Sequence, residues 1–225
     1  STAECEVAWY QKLGKRGDQS PVLKSNGNNT VYFDGTRYYN TFVTISDGTA
    51  YEAETDREVD VVYERTFSHT GWQALFVPFS MTYDDWKDYG RVAELSMVSI
   101  SDGGFVLTWN VLGEGSTVEA GKPYIFEPKS AASGSITVPL TILKTASCAE
   151  SVSVKAVDGT VITISGTFTG KTDMQTSGAY ALKGGLFNTA LSDGAVLNPQ
   201  RIFLTLIPGT STTSAPATIS TIIDK

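Results

Sequence analysis

The chain has 225 residues, with 17 Lys and Arg against 24 Asp and Glu for a formal net charge of -7. Hydrophobic residues make up 41% and charged residues only 18%, below the usual ~25%, which excludes a solvating disordered chain and supplies material for a core without staples. The acidic balance leaves no basic stripe to meet a phosphate backbone, so no nucleic-acid partner is expected. No apolar stretch approaches the ~18 residues that span a bilayer. Ser1-Thr2-Ala3-Glu4 carries no charged-then-apolar leader, so any signal peptide is expected to lie upstream or to have been removed.

Turn chemistry punctuates the chain. Asn26-Gly27, Asp34-Gly35, Asp47-Gly48, Asp102-Gly103, Asp158-Gly159 and Asp193-Gly194 are hairpin signals, because these residues tolerate the positive φ of a type I′ turn. In chain order, β-branched and aromatic runs predict strands at 37–45, 59–64, 73–79, 92–100, 105–112, 124–127, 135–138, 160–165, 179–182 and Arg201–Ile207. The acidic stretch 46–58 reads as a connector or edge strand. One segment predicts a short helix near 82–89: Thr82 as N-cap, Asp85 three residues on, Trp86 and Tyr89 on the apolar side, and Gly90 as the stop. Residues 209–225 read as a Ser/Thr/Pro-rich tail whose apolar Ile222-Ile223 could add an edge strand. Without β-helix-β alternation, the expected fold is all-β, an antiparallel β-sandwich of jelly-roll-like or related form, with a partly closed barrel as the alternative. Three parts are expected: 1–45 as an N-terminal β segment packed on the rest, 46–208 as the main domain, and 209–225 as the tail.

Two stretches are more specific than their composition. Thr66-Phe67-Ser68-His69-Thr70-Gly71-Trp72-Gln73-Ala74-Leu75-Phe76-Val77-Pro78-Phe79, followed by Asp85-Trp86, resembles the opening of a C-terminal β domain of secreted, uncharacterised surface proteins of anaerobic gut bacteria. Gly121-Lys122-Pro123-Tyr124-Ile125-Phe126, Phe168-Thr169-Gly170, Gly178-Ala179-Tyr180-Ala181-Leu182 and Arg201-Ile202-Phe203 are similar to later blocks of that domain. Trp9-Tyr10-Gln11-Lys12-Leu13-Gly14, with Pro21-Val22-Leu23 and Val31-Tyr32, resembles the end of a repeat region that often precedes such domains. The resemblance implies a modular protein, exported or on the cell surface, that acts in adhesion or in presentation and anchoring and is not an enzyme. Its implied partner is a host or bacterial surface protein or a glycan. It carries no catalytic residues with it.

The residues themselves offer few reactive constellations. His69 is the only histidine and reads as a turn residue, since no nucleophile elbow accompanies Ser68. Cys5 and Cys148 stand far apart with no second Cys or His beside either, which argues against a zinc site; if paired, they could stabilise the fold by roughly 4 to 5 kcal/mol. Asp84, Asp85 and Asp88 could offer oxygen ligands to calcium, yet they lack the loop spacing of a calcium motif and also suit a helix N-terminus. No other cofactor is expected, and no pair of carboxylates stands out for glycoside hydrolysis. Aromatic residues are the more informative set. Trp72 and Trp109 fall within strand-like runs and read as core, whereas Tyr38, Tyr39, Trp86 and Tyr89 are the candidate ligand-binding residues, since sugar rings stack on such side chains. A carbohydrate-binding module is the alternative reading, and a hydrolase the weaker one. The chain is expected to be a monomer.

Overall fold

A computed structural model describes residues 9–11, 29–33, 38–40, 42–53, 56–189, 194–209, 216 and 218–224. The fold is all-β. An N-terminal antiparallel meander comprises β1 (Trp9–Gln11), β2 (Asn29–Phe33) and β3 (Tyr38–Asn40). The turns expected at Asn26-Gly27 and Asp34-Gly35, and the packing expected of residues 1–41, lie outside the described residues or side chains.

The expected boundary at 45/46 falls within β4 (Phe42–Ser46). This strand pairs in parallel with β5 (Arg57–Thr66), so it belongs to the main body. Parallel pairing also corrects the hairpin expected at Asp47-Gly48, since a two-residue turn cannot reverse the chain between parallel strands. Further along come β6 (Gln73–Leu75), β7 (Met81–Thr82), the one-turn α1 (Tyr83–Trp86), β8 (Gly90–Ser101), β9 (Gly104–Val111), β10 (Thr117–Val118), β11 (Tyr124–Pro128) and β12 (Ser133–Leu143). A 3₁₀ turn at Ala146–Cys148 precedes β13 (Ser151–Lys155), β14 (Val161–Thr167), β15 (Tyr180–Lys183), β16 (Leu186–Thr189), β17 (Arg201–Ile207) and β18 (Thr218–Asp224). β12 completes the small sheet β12-β5-β4, and its register slips between Val138 and Thr141, where Pro139 has no N–H for the ladder.

β7 and β10 pair antiparallel as a two-stranded ribbon, and the remaining strands build a ten-stranded sheet in the order β13-β14-β17-β15-β16-β18-β9-β8-β11-β6. It curls on itself, so that β13 packs over β8 while β17 and β15 pack over β6. The two halves make the layers of a sandwich. Alternation does the sorting: Phe105, Leu107 and Trp109 of β9 face the same core as Ile162 and Ile164 of β14 and Ile202 and Leu204 of β17. The layers approach closely at Gly166 of β14, where a Cβ would fall 2.0 to 2.3 Å from ring atoms of the buried Phe76. Phe76 in turn packs on Phe168 with ring centroids 4.4 Å apart.

The turns explain the hairpins. Asp102 (φ 51) and Gly103 (φ 76) join β8 to β9 with the paired positive φ of a type I′ turn, and Gly184 (φ 60) and Gly185 (φ 78) do the same for β15 and β16. The Asp158-Gly159 loop is held by the Asp158 carboxylate, which accepts hydrogen bonds from the Thr160 N–H and Oγ1, each at 2.9 Å. Asp193 lies outside the described residues.

The C-terminal stretch departs most from expectation. Instead of a tail or an edge strand, β18 lies inside the large sheet. Its first residues pair antiparallel with β16 (Ile219 with Phe187), and Ser220 to Asp224 then pair in parallel with Val106 to Asn110 of β9. The Tyr180 hydroxyl donates to the Pro216 carbonyl at 2.6 Å, and Thr221 Oγ1 donates to the Gly185 carbonyl, which fixes the approach of the strand.

Close packing of the two layers makes Gly166→Ala a direct test. A methyl group there has no room beside the rigid Phe76 ring, and the expected loss is about 1 to 3 kcal/mol. Urea unfolding should show a lower midpoint at unchanged slope. An unaltered midpoint would contradict the packing described.

Candidate functional site

Two grooves of about 530 Å³ each open on the surface, within the size range of small-ligand clefts. They differ in what their charged groups are doing.

The first groove lies at the end of the small sheet, lined by Ser46, Asp47, Glu64, Arg65, Ser133 and Ser135 among others. Its floor is an ionic clasp. Arg201 of β17 donates to both oxygens of Asp47, at 2.5 and 2.7 Å, while the Tyr63 hydroxyl donates to Oδ1 at 3.0 Å. Arg65 Nε lies 3.5 Å from Oδ2, an ion-pair distance without a hydrogen bond, and its Nη1 donates to the Ala74 carbonyl at 2.6 Å. Gln200, in the left-handed region at φ 58, donates to the Ser46 and Thr49 carbonyls at 2.9 and 2.8 Å. These bonds tie the β4–β5 connection to β17, and so the small sheet to the large one. Burial works against the Arg201 charge, but the hydrogen bond and negative charge of Asp47 prevail and hold its pKa above the ordinary value. With its charges engaged on one another, the clasp holds structure together and has little left for a ligand.

The second groove runs beside α1, between the start of β8 and the end of β9. Tyr83, Val111 and Leu112 give it a half-buried apolar floor; Lys87, Arg91 and Lys129 are its exposed cations, and among the described residues its lining includes no carboxylate, serine, cysteine or histidine. The local sequence builds it directly. Asp85 accepts from the Thr82 N–H and Oγ1, each at 2.7 Å, and so caps the helix. Helix α1 then ends after one turn rather than the two expected, because the chain must enter β8 at Gly90. A side chain there would meet the Glu127 carbonyl oxygen at 2.3 Å and the Phe126 ring at 2.5 Å. This close approach pairs Gly90 with Pro128 and places Lys129 beside the helix, with its N–H bonded to the Tyr89 carbonyl at 2.9 Å. Arg91 donates through Nε to Glu127 at 2.8 Å and lies over the Trp72 ring, 5.5 Å from its centroid.

The residues singled out from sequence fare differently. Trp86 is fully buried beneath the groove, edge-on to Tyr83 with centroids 5.9 Å apart, so its indole offers no face to a sugar and it is corrected from ligand-binding residue to core. Tyr89 is 40% exposed and precedes Gly90 in the chain, but it does not itself line the groove. Tyr38 and Tyr39 fall on β3, and their side chains lie outside what the structure describes. Asp84 is paired with Lys87, and Asp85 is engaged by Thr82, so calcium at Asp84, Asp85 and Asp88 would have to displace both partners. Among the described residues, no group of three His, Cys, Asp or Glu could hold a metal ion. His69 is a turn residue, its Nδ1 accepting from the Gly71 N–H at 3.0 Å. Trp109 is buried, as expected of a strand residue, and Trp72 is half-buried under Arg91. Cys148 is a half-buried thiol whose pKa burial pushes up, with Asp56 adding to the shift; Cys5 lies outside the described residues.

Lys87, Arg91, Leu112 and Lys129 were not legible as a group. Lys87 and Arg91 flank the predicted helix, but Lys129 joins them only through the β8–β11 register. Comparison with protein-family models, with curated proteins and with solved structures returned no match.

Buried phenols make the fold sensitive to alkali. Burial raises the pKa of Tyr63 far above its ordinary value; the charge of Arg65 opposes the shift and that of Asp47 adds to it. Burial also raises Tyr124 and Tyr180. An unfolded chain ionises these phenols near pH ~10, so the folded state holds its protons to higher pH than the unfolded one. This contribution is fully present below pH ~10 and is lost as pH rises through the folded values. Urea midpoints should therefore hold near pH ~8 to ~9 and fall steeply above ~10; a flat profile to pH ~12 would contradict the burial of these groups.

Proposed function

We propose that the chain is a non-catalytic adhesion module of an exported bacterial surface protein, and that it holds a glycan in the groove beside α1. The observation that carries this reading is the lining of that groove. It combines an apolar and aromatic floor with exposed cations, and among the described residues it includes no carboxylate, serine, cysteine or histidine to serve as nucleophile or general base. The resemblance of the 66–79 segment and its downstream blocks to secreted surface domains supports export. Against a hydrolase stands the engagement of two carboxylates beside the groove: Asp84 is paired with Lys87, and Glu127 with Arg91.

A glycan array followed by mass spectrometry of the bound sugar tests this. The expected result is saturable binding, weakened at least tenfold by Leu112→Asp in the groove floor, with the sugar recovered intact. Cleaved sugar would overturn the non-catalytic reading. Binding unaffected by Leu112→Asp would move the site elsewhere, and no binding to any glycan would remove the glycan as partner.

A further inference from the structure

We propose that the ligand of this groove is an acidic saccharide whose carboxylate or sulfate groups are engaged by Lys129 and Arg91. The inference rests on the glycan reading above and adds to it the chemical class of the sugar. On a chain of net charge -7, three cations converge on one groove whose lining includes no carboxylate among the described residues. Asp84 and Glu127, just outside that lining, pair with Lys87 and Arg91, so the positive charge left over at the rim is that of Lys129, which favours an anion at short range.

The three cations are not equivalent. Lys87 is held by Asp84, and that hydrogen bond and charge raise its pKa, so it stays protonated while its charge is largely answered. Arg91 spends Nε and Nη2 on a single oxygen of Glu127, with Trp72 beneath the guanidinium, which fixes the plane and leaves Nη1 without a protein acceptor among the described residues. Lys129 is exposed and makes no ion pair among the described residues, while its backbone is anchored to the Tyr89 carbonyl. The groove thus presents one oriented guanidinium edge and one unanswered ammonium, both beside the apolar Leu112 and the Tyr83 ring. An acidic sugar matches both features. Its ring C–H faces suit the aromatic and aliphatic floor, and its carboxylate or sulfate oxygens suit charge-assisted hydrogen bonds at the rim. An extended acidic peptide would satisfy the cations but leave the floor uncovered. Gly113, with open space around its Cα, leaves one end of the groove unobstructed for a chain of sugars to continue.

The test uses the whole chain and four probes measured by calorimetry: short oligogalacturonates, dextran sulfate, neutral dextran and poly-glutamate. Binding of oligogalacturonate or dextran sulfate is expected, weakening severalfold when salt is raised from about 0.05 to about 0.3 M, as exposed ion pairs are screened. Lys129→Glu should weaken it at least tenfold while Lys129→Arg retains it, with unchanged melting temperatures in both variants because Lys129 is exposed. Whether carboxylate or sulfate is preferred follows from comparing the first two probes. Equal or tighter binding of neutral dextran would overturn the acidic-saccharide inference and leave the glycan reading standing. Poly-glutamate binding as tight as either acidic polysaccharide would overturn the inference by making charge alone sufficient. If neither acidic probe binds, the inference fails whatever the wider glycan array returns; if the array is also blank, the glycan reading fails with it.

Discussion

The architecture depends on a single pairing, the insertion of β18 between β16 and β9. Without it the ten-stranded order would separate into a five-stranded sheet of β13, β14, β17, β15 and β16 and a four-stranded sheet of β9, β8, β11 and β6. Those two sheets are the two layers of the sandwich. β18 is therefore the corner at which one layer becomes the other, a place where a strand must satisfy two neighbours of different direction. It does so by dividing its length: Thr218 and Ile219 serve β16, and Ser220 to Asp224 serve β9. The buried Ile219 sits at the changeover, and Trp109 and Phe187 lie nearly parallel across the seam, 6.5 Å between centroids.

The groove beside α1 follows from this arrangement. Strand β9 runs from the Asp102-Gly103 turn, along the seam, to Val111 and Leu112, which floor the groove. On its other side β9 pairs with β8, and β8 pairs with β11 at Gly90 and Pro128, which delivers Arg91 and Lys129 to the same rim. The short helix seats Trp86 beneath the groove, adds Tyr83 to its floor and offers Lys87 at its rim. The Asp47 clasp of the first groove fixes the small sheet to β17. Two concentrations of charge thus have different fates: the buried one is closed upon itself, and the exposed one keeps capacity for a partner.

Much of the fold was legible because it is local. Alternating β-branched runs located most strands of the main body, Arg201–Ile207 to the residue, and the positive-φ pair Asp102-Gly103 marked a true hairpin. Thr82 and Asp85 marked the helix start, although its length was set by the close approach at Gly90, a tertiary contact that no local pattern encodes. Asp47-Gly48 carried the same turn signal as Asp102-Gly103, yet its carboxylate meets arginines at 65 and 201. The β18 stretch reads as a tail or edge strand because Ile222-Ile223 is short and follows a Ser/Thr/Pro-rich run, and parallel pairing with a strand more than a hundred residues earlier leaves no mark in sequence. The candidate site was half legible. The aromatic residues of the 82–89 segment lie at or beside the proposed groove, but Trp86 is drawn inward by core packing, and Lys129 joins Lys87 and Arg91 only through strand register.

Hydrogen exchange on the amides of β18 tests the seam most directly. A strand that joins the two layers can open only when the sandwich opens, so the amides of Ser220 to Ile223 that bond to β9 should exchange as slowly as the central amides of β8 and β9 and should share their dependence on denaturant. Rapid exchange of β18 while β8, β9 and β14 stay protected would show instead that the strand frays independently. The two layers would then be held together without it.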